Sequence, residues 1–187
     1  MSWDLNSIGN RDKKASTITD NIVAVGIDLA AKIKNPTGVC SRKLVKEVHS
    51  DEDILDFVKE EKAEIVGIDA PLTRTEKPWR PCERSLIDRG FKPLPLNMGG
   101  MRELTERGME IKEKLSEMGV KVLEVFPRAS EEILGLKNKR RLTKHEWGAY
   151  LAFLTVEAYL AEEYEDLNGI IIPKPSFTPI SFDDNGV

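Results

Sequence analysis

The chain has 187 residues, of which 40% are hydrophobic, and this is enough for one compact domain with a single sizeable core. A formal net charge of −4 and a pI near 5.4 exclude a protein that grips nucleic acid through bulk positive charge, and they leave room only for a local basic patch. The two cysteines, Cys40 and Cys82, lie in different segments without C-x-x-C spacing, which argues against a disulfide framework or a cysteine zinc site.

The first twenty residues are polar and lack the apolar stretch of a secretory signal. No segment approaches the roughly 18 apolar residues that a membrane span needs. We therefore expect a polar N-terminal arm over residues 1–20 and a single domain over residues 21–187. We also expect a cytoplasmic protein that does not enter a membrane, and the sequence does not predict its oligomeric state.

The first elements of the domain are three predicted strands. Residues 22–27 are apolar without alternation, as is typical of a strand covered on both faces, and this run ends at Asp28. Two short β-rich runs follow around Ser41 and Arg42, and they predict an antiparallel pair.

A helix and a fourth strand complete a βββαβ order. Ser50 and Asp53 have capping-box spacing, which predicts a helix from Ser50 to about Lys62. Residues 65–68 then form another doubly buried strand, which ends at Asp69. Each of the two buried strands therefore ends in the same three residues, Gly-Ile-Asp.

A long loop is predicted over residues 71–100, because this segment holds too many prolines for a continuous helix or a central strand. Ordered loops of this length are usually functional. The five prolines of the segment are Pro71, Pro78, Pro81, Pro93 and Pro95.

The second half of the chain predicts helices and further strands. An amphipathic helix should end at Gly119, and a strand with Glu124 among apolar neighbours should follow it. We expect a short helix over residues 130–136, a largely buried helix capped by Thr143, and a last strand at residues 169–173.

Three predicted strands carry an acid at or near their carboxyl ends, namely Asp28, Asp69 and Glu124. A single strand-terminal acid commonly does no more than cap the following turn. Three acids that converge would repel one another without a cation, and hard cations such as Mg²⁺ or Mn²⁺ take oxygen ligands. The pattern therefore indicates a metal site at the carboxyl edge of the sheet, which is where sites of α/β proteins form.

Five segments in order along the chain resemble domain of unknown function 429, a family described as predicted RNase H-like nucleases. The resemblance covers roughly residues 23–173. The segments are VGIDLA, GIDAPL, RPCERSLIDRG, MRELTERG and LEVFPRAS.

The resemblance implies an α/β protein of RNase H-like fold, in which a five-stranded mixed sheet with a βββαβ core is flanked by helices. Strands one and four would be parallel neighbours and would present Asp28 and Asp69 to one site. Nucleases of this superfamily usually add a carboxylate from the last helix, where this chain has Gly148. Glu146 is close by, but it has a capping-box role and points elsewhere. On this view, Gly148→Asp would supply a missing ligand.

Arginines on the proline-rich segment are candidates for binding a phosphodiester. Arg74, Arg80 and Arg84 follow Asp69 in the chain, and a guanidinium can hold phosphate oxygens bidentately. The alternative is that these arginines pair with acids of the same loop.

These features favour a metal-dependent nuclease that hydrolyses DNA or RNA. Asp28, Asp69 and Glu124 would hold Mg²⁺ or Mn²⁺ and act as the catalytic residues, and Arg74, Arg80 and Arg84 would bind substrate. Two alternatives remain open: an ATP- and Mg-dependent phosphotransferase of the actin-like branch, and a catalytically inactive RNase H-like module that binds nucleic acid or protein.

Overall fold

The computed structural model describes residues 21–179, so the predicted arm over residues 1–20 lies outside the described residues. The described part is a mixed α/β arrangement of one seven-stranded sheet and five helices. The strands are β1 (Ala24–Asp28), β2 (Thr37–Ser41), β3 (Val45–Val48), β4 (Ile65–Asp69), β5 (Lys121–Val125), β6 (Tyr164–Leu167) and β7 (Ile170–Pro173). The helices are α1 (Asp51–Glu61), α2 (Pro81–Asp88), α3 (Met101–Glu117), α4 (Pro127–Ile133) and α5 (Lys144–Leu160).

The strand order is β3-β2-β1-β4-β5-β7-β6. Strands β1, β4, β5 and β7 are parallel neighbours, and β1–β2, β2–β3 and β6–β7 are antiparallel pairs. The expected adjacency of the first and fourth strands is therefore confirmed.

The expectation of five strands is wrong, because β7 and β6 extend the sheet beyond β5. These two strands form a hairpin whose turn residues, Asn168 and Gly169, both have positive φ, of 55° and 110°. Asn-Gly between two strand-like runs is a strong hairpin signal. Because β6 is rich in acidic residues, the sequence before Asn168 did not resemble a strand. These acids are tolerated because β6 is an edge strand.

Helix α5 lies on one face of the sheet and contacts it unusually closely. Gly26 and Gly67, paired on β1 and β4, face this helix together with Gly38 of β2. A Cβ added to Gly26 would lie 2.2 Å from the backbone nitrogen of Phe153, and one added to Gly38 would lie 1.9 Å from the carbonyl oxygen of His145. These glycines let α5 pack with its first turn above the carboxyl end of β1.

Helices α1 and α3 cover the opposite face and bury a larger apolar core. Fully buried side chains of this core come from both the sheet and the two helices, among them Ile27, Ile54, Ile68, Ile111 and Leu115. The sheet is therefore covered on both sides, as its continuously apolar strands predict. No helix within residues 21–179 is both long enough and apolar enough to cross a membrane.

The proline-rich segment contains one regular element, helix α2. Pro81 occupies the first turn of this helix, a position where the missing N–H has no intrahelical partner in any case. Helix α4 likewise begins at Pro127, three residues before the predicted start at Ser130. In both segments proline begins a helix, whereas the sequence analysis took it only as a helix breaker.

Candidate active site

The two strand-end aspartates are direct neighbours. The parallel register pairs Gly26 with Gly67 and Asp28 with Asp69. Because side chains alternate along a strand, each aspartate lies on the same face as the glycine two residues before it, which is the face covered by α5. The repeated Gly-Ile-Asp therefore places a glycine beneath the helix and a carboxylate at its first turn.

His145, in the first turn of α5, is the histidine of this site. Its Nδ1 lies 3.2 Å from Oδ2 of Asp28, and both side chains are partly exposed, by 27% and 15%. His145 is not among the site residues predicted from the sequence. The available signal was its spacing from Gly148, because residues three apart on a capped helix share one face.

The environment of the two aspartates disfavours their charged forms. Burial raises the pKa of Asp28, and the nearby His145 acts in the opposite direction. Burial, followed by the negative charges of Asp28 and Glu124, raises the pKa of Asp69 well above its usual value. A bound cation would favour ionisation of both groups, because it would replace this repulsion by attraction.

Glu124 occupies a different position from the aspartates. It pairs with Ile68 and not with Asp69, so its side chain lies on the opposite face of the sheet. Its carboxylate accepts a hydrogen bond from the backbone N–H of Leu72 at 2.8 Å and binds Arg80 through both oxygens. Burial raises the pKa of Glu124, while Arg80 opposes this effect. Its role as a metal ligand stays a prediction.

Arg80 is the centre of a buried ion network. Its guanidinium donates to the carboxylates of Glu83 and Glu124 and to Oγ1 of Thr73, at 2.7 Å. The Arg80, Glu83 and Glu124 side chains are only 8%, 4% and 10% exposed. Arg80 is therefore already committed to two carboxylates.

Ligand atoms of Cys82, Glu83 and Glu124 lie within 4.8 Å of one another, a grouping that could in principle hold a metal. The guanidinium of Arg80 already compensates both carboxylates. Burial raises the pKa of Cys82 to about 11, which favours the protonated thiol as long as no metal is bound. These residues form a structural ion network.

The strand-end acids open onto a cleft of about 500 Å³, and Glu124 lines its wall. Lys92, Arg128 and Lys144 also line the cleft, and all three are exposed. Within residues 21–179, none of these three cations has a carboxylate oxygen within 4.0 Å. Lys144 and Arg128 nevertheless attract the aspartates electrostatically, and Arg128 donates a hydrogen bond to the carbonyl oxygen of Lys92. The cleft therefore joins acids with raised pKa to exposed cations that form no close ion pair.

The arginines predicted to bind substrate lie elsewhere or are already paired. Arg74 is 3.8 Å from Glu106, and Arg84 is exposed on α2 outside the lining of the cleft. Arg80 reaches the cleft wall through its bond to Glu124. Substrate binding by these three residues stays a prediction.

Gly148 is a point of close approach. A Cβ at this position would lie 2.4 Å from Oδ2 of Asp28, so the helix backbone rests against that carboxylate. The expectation that Gly148→Asp would complete a ligand set stays a prediction, and it requires that the end of the Asp28 side chain shifts to make room.

We expect Gly148→Ala to weaken both Mn²⁺ binding and the fold. The added methyl would push the Asp28 carboxylate away from Asp69 and create an overpacking cost of about 1 to 3 kcal/mol, against a gain in helix propensity of about 1 kcal/mol. Calorimetric Mn²⁺ titration and urea unfolding measure the two effects. Gly99→Ala is the matched control, since a Cβ there meets nothing within 4 Å. Unchanged Mn²⁺ affinity in Gly148→Ala would contradict this description of the site.

Comparisons with known proteins give only weak structural likeness. No family model matches the chain, and no curated protein is significantly similar to it. Among solved structures, the chain is similar to T. thermophilus RuvC in complex with a Holliday junction substrate, with 13% identity and a TM-score of 0.47. That alignment covers 76% of this chain and 95% of the RuvC chain.

Proposed function

We propose that this protein is a metal-dependent phosphodiesterase of RNase H-like fold that hydrolyses a nucleic-acid backbone. The observation that carries the proposal is the register of Asp28 with Asp69 at the ends of two parallel strands. Both groups have a raised pKa and open onto a cleft lined by the exposed cations Lys92, Arg128 and Lys144. The run of strands β3-β2-β1-β4-β5, with β2 antiparallel, supports the fold assignment.

The donor set at the site fits a hard divalent cation. Asp28 and Asp69 offer carboxylate oxygens, and His145 offers an imidazole nitrogen next to Asp28. Carboxylates suit Mg²⁺ and Mn²⁺, and the imidazole adds preference for the transition metal. When bound, such an ion would supply an activated water and would stabilise charge on the phosphate oxygens.

The other residues of the cleft would hold the substrate. Lys92, Arg128 and Lys144 come from the proline-rich segment, from α4 and from α5, so their charges are distributed around the cleft. A distributed set of cations matches a chain of phosphates better than a single small anion. His145 would orient Asp28 through the contact at Oδ2.

A second candidate function is a non-catalytic module that binds nucleic acid. Two observations favour it: position 148 carries no carboxylate, and Glu124 is already bound to Arg80. A cleavage assay separates the two functions. Labelled single-stranded, duplex and hybrid oligonucleotides are incubated with the protein over a titration of Mg²⁺ and Mn²⁺. Metal-dependent cleavage of at least one substrate supports the nuclease, and tight binding without cleavage supports the module.

We expect the stability of the metal-free protein to fall as the pH rises from about 4 through the raised pKa of Asp28 and Asp69. The sign follows because the folded state holds these protons more tightly than the unfolded chain does. Mn²⁺ at about 100 times its Kd should restore about 2.7 kcal/mol at neutral pH.

Urea unfolding at several pH values, with and without Mn²⁺, measures this effect. Asp69→Asn should reduce the pH dependence to the part that Asp28 contributes, and it should remove the stabilisation by metal. Asp56→Asn, on the exposed face of α1, is the matched control and should behave like the wild type. Equal stabilisation of wild type and Asp69→Asn by Mn²⁺ would place the metal elsewhere.

A further inference from the structure

Trp147 and Glu131 form a polar and aromatic pair on the wall of the cleft. The indole Nε1 of Trp147 donates a hydrogen bond of 2.8 Å to Oε1 of Glu131, and both residues are half-buried. Both line the same cleft as Asp28 and Asp69. The nuclease mechanism proposed above uses neither of them.

Three neighbouring residues place this pair relative to the acids and the cations of the cleft. Trp147 directly precedes Gly148, which abuts Asp28, so the indole is attached one residue from the acidic centre. Tyr150 supports the indole, with ring centroids 5.5 Å apart. Arg128 lies one turn before Glu131 on α4 and also lines the cleft. An aromatic ring and a carboxylate thus lie beside a cation that can hold a phosphate.

From these contacts we propose that Trp147 and Glu131 form a base-binding subsite next to the scissile phosphate. The proposal rests on the proposed function for its substrate class. An aromatic ring at the wall of a nucleic-acid cleft can stack on an unpaired base of any sequence. The subsite therefore takes an unstacked nucleotide and not a base inside a continuous duplex.

The free oxygen of Glu131 gives the subsite a preference among bases. Oε1 accepts from the indole, and Oε2 has no hydrogen-bond donor among the residues that the structure describes. An ionised carboxylate only accepts hydrogen bonds, so its partner must be a donor. Cytosine presents an amino group at N4, whereas thymine and uracil present a carbonyl oxygen there and donate only through a ring N3–H that lies between two carbonyl oxygens, which repel a carboxylate. The subsite selects bases with an exocyclic amino group and disfavours thymine and uracil.

The test is the binding of oligo-dC and oligo-dT, each of about ten nucleotides, measured by fluorescence anisotropy with the full chain in Ca²⁺. The two oligomers carry the same charge and similar rings, so phosphate contacts cancel in their ratio. We expect oligo-dC to bind roughly tenfold more tightly, the effect of one good base contact. Glu131→Gln should reduce this ratio to about two or less, because an amide can present either a donor or an acceptor.

Two further variants separate stacking from selection and from folding. Trp147→Ala should lower the affinity for both oligomers by roughly tenfold, because an aromatic ring stacks on any base. Trp147→Phe should restore most of this affinity, because phenylalanine keeps an aromatic ring. Glu132→Gln, on the exposed side of α4, is the matched control and should keep the wild-type ratio. Circular dichroism verifies that each variant is folded.

Equal affinity of the wild type for the two oligomers, no binding of either, or an unchanged ratio in Glu131→Gln would overturn the subsite. Cleavage measured in parallel with Mn²⁺ separates the two proposals. Cleavage without base preference would support the proposed nuclease function and contradict the base-binding subsite. Base preference without cleavage would support the base-binding subsite and contradict the proposed nuclease function.

Discussion

Asp28→Asn should lower metal-dependent cleavage of a labelled oligonucleotide by at least about 10³-fold. The carboxylate of Asp28 is next to that of Asp69 in register, is contacted by His145 and rests against Gly148. An asparagine has nearly the same shape but lacks the negative charge that a cation requires. Loss of metal-based stabilisation of a few kcal/mol at the transition state corresponds to an effect of this size.

The matched control for this variant is Asp56→Asn, which removes the same charge from the exposed face of α1. It should cleave at the wild-type rate. Both variants should have wild-type circular dichroism spectra, so that lost cleavage is not lost folding. Equal cleavage by wild type and Asp28→Asn would show that the activity comes from a contaminant or from another site.

Arg80→Met should destabilise the protein by about 3 to 5 kcal/mol at neutral pH, because removal of one partner leaves buried charges uncompensated. The Arg80 guanidinium holds the carboxylates of Glu83 and Glu124, and all three side chains are at most 10% exposed. Without the guanidinium, the pKa of both carboxyl groups should rise. The loss of stability should therefore be largest at neutral and alkaline pH and should shrink as the pH falls and the carboxyl groups take up protons.

Urea unfolding of Arg80→Met between acid and neutral pH measures this effect. Arg89→Met is the matched control, since Arg89 forms an exposed pair with Glu165 and exposed pairs contribute little. Adding Glu83→Gln and Glu124→Gln to Arg80→Met should recover much of the lost stability. A small and pH-independent effect of Arg80→Met would show that the network is not a buried charge cluster.

The part of the site that could be predicted is the part that local sequence determines. Two continuously apolar runs that each end in Gly-Ile-Asp define two buried strands. That these strands lie side by side was implied by the family resemblance. The structure explains why these runs contain glycine, because α5 packs directly on Gly26 and Gly67 and leaves no room for a Cβ. The capping box at Thr143 also predicts where α5 begins.

The face on which Glu124 lies could not be predicted, because it depends on the register between strands distant in sequence. β5 runs one residue beyond Glu124, to Val125, and Glu124 pairs with Ile68. A shift of one residue moves a side chain to the opposite face of a sheet. Position near a strand end therefore did not show which face Glu124 would occupy, although it lines the same cleft as Asp28 and Asp69.

Pairing between distant side chains was equally hidden from the sequence. Pairing of Arg80 with an acid of its own loop was one of two alternatives, and Glu83 is that acid. The second partner, Glu124, is distant in sequence and could not be foreseen. His145 had no cysteine nucleophile candidate beside it in sequence, and only the packing of α5 brings it to Asp28. In both cases the partner is set by tertiary contacts.

Anomalous scattering from a crystal soaked in Mn²⁺ tests the central claim most directly. We expect a peak between β1 and β4 with oxygens of both Asp28 and Asp69 at about 2.0 to 2.6 Å, the range of hard-cation ligands. The peak should be absent from crystals of Asp28→Asn. A peak on Glu83 and Glu124 instead, or no peak at the two strand ends in the wild type, would contradict the proposed metal centre.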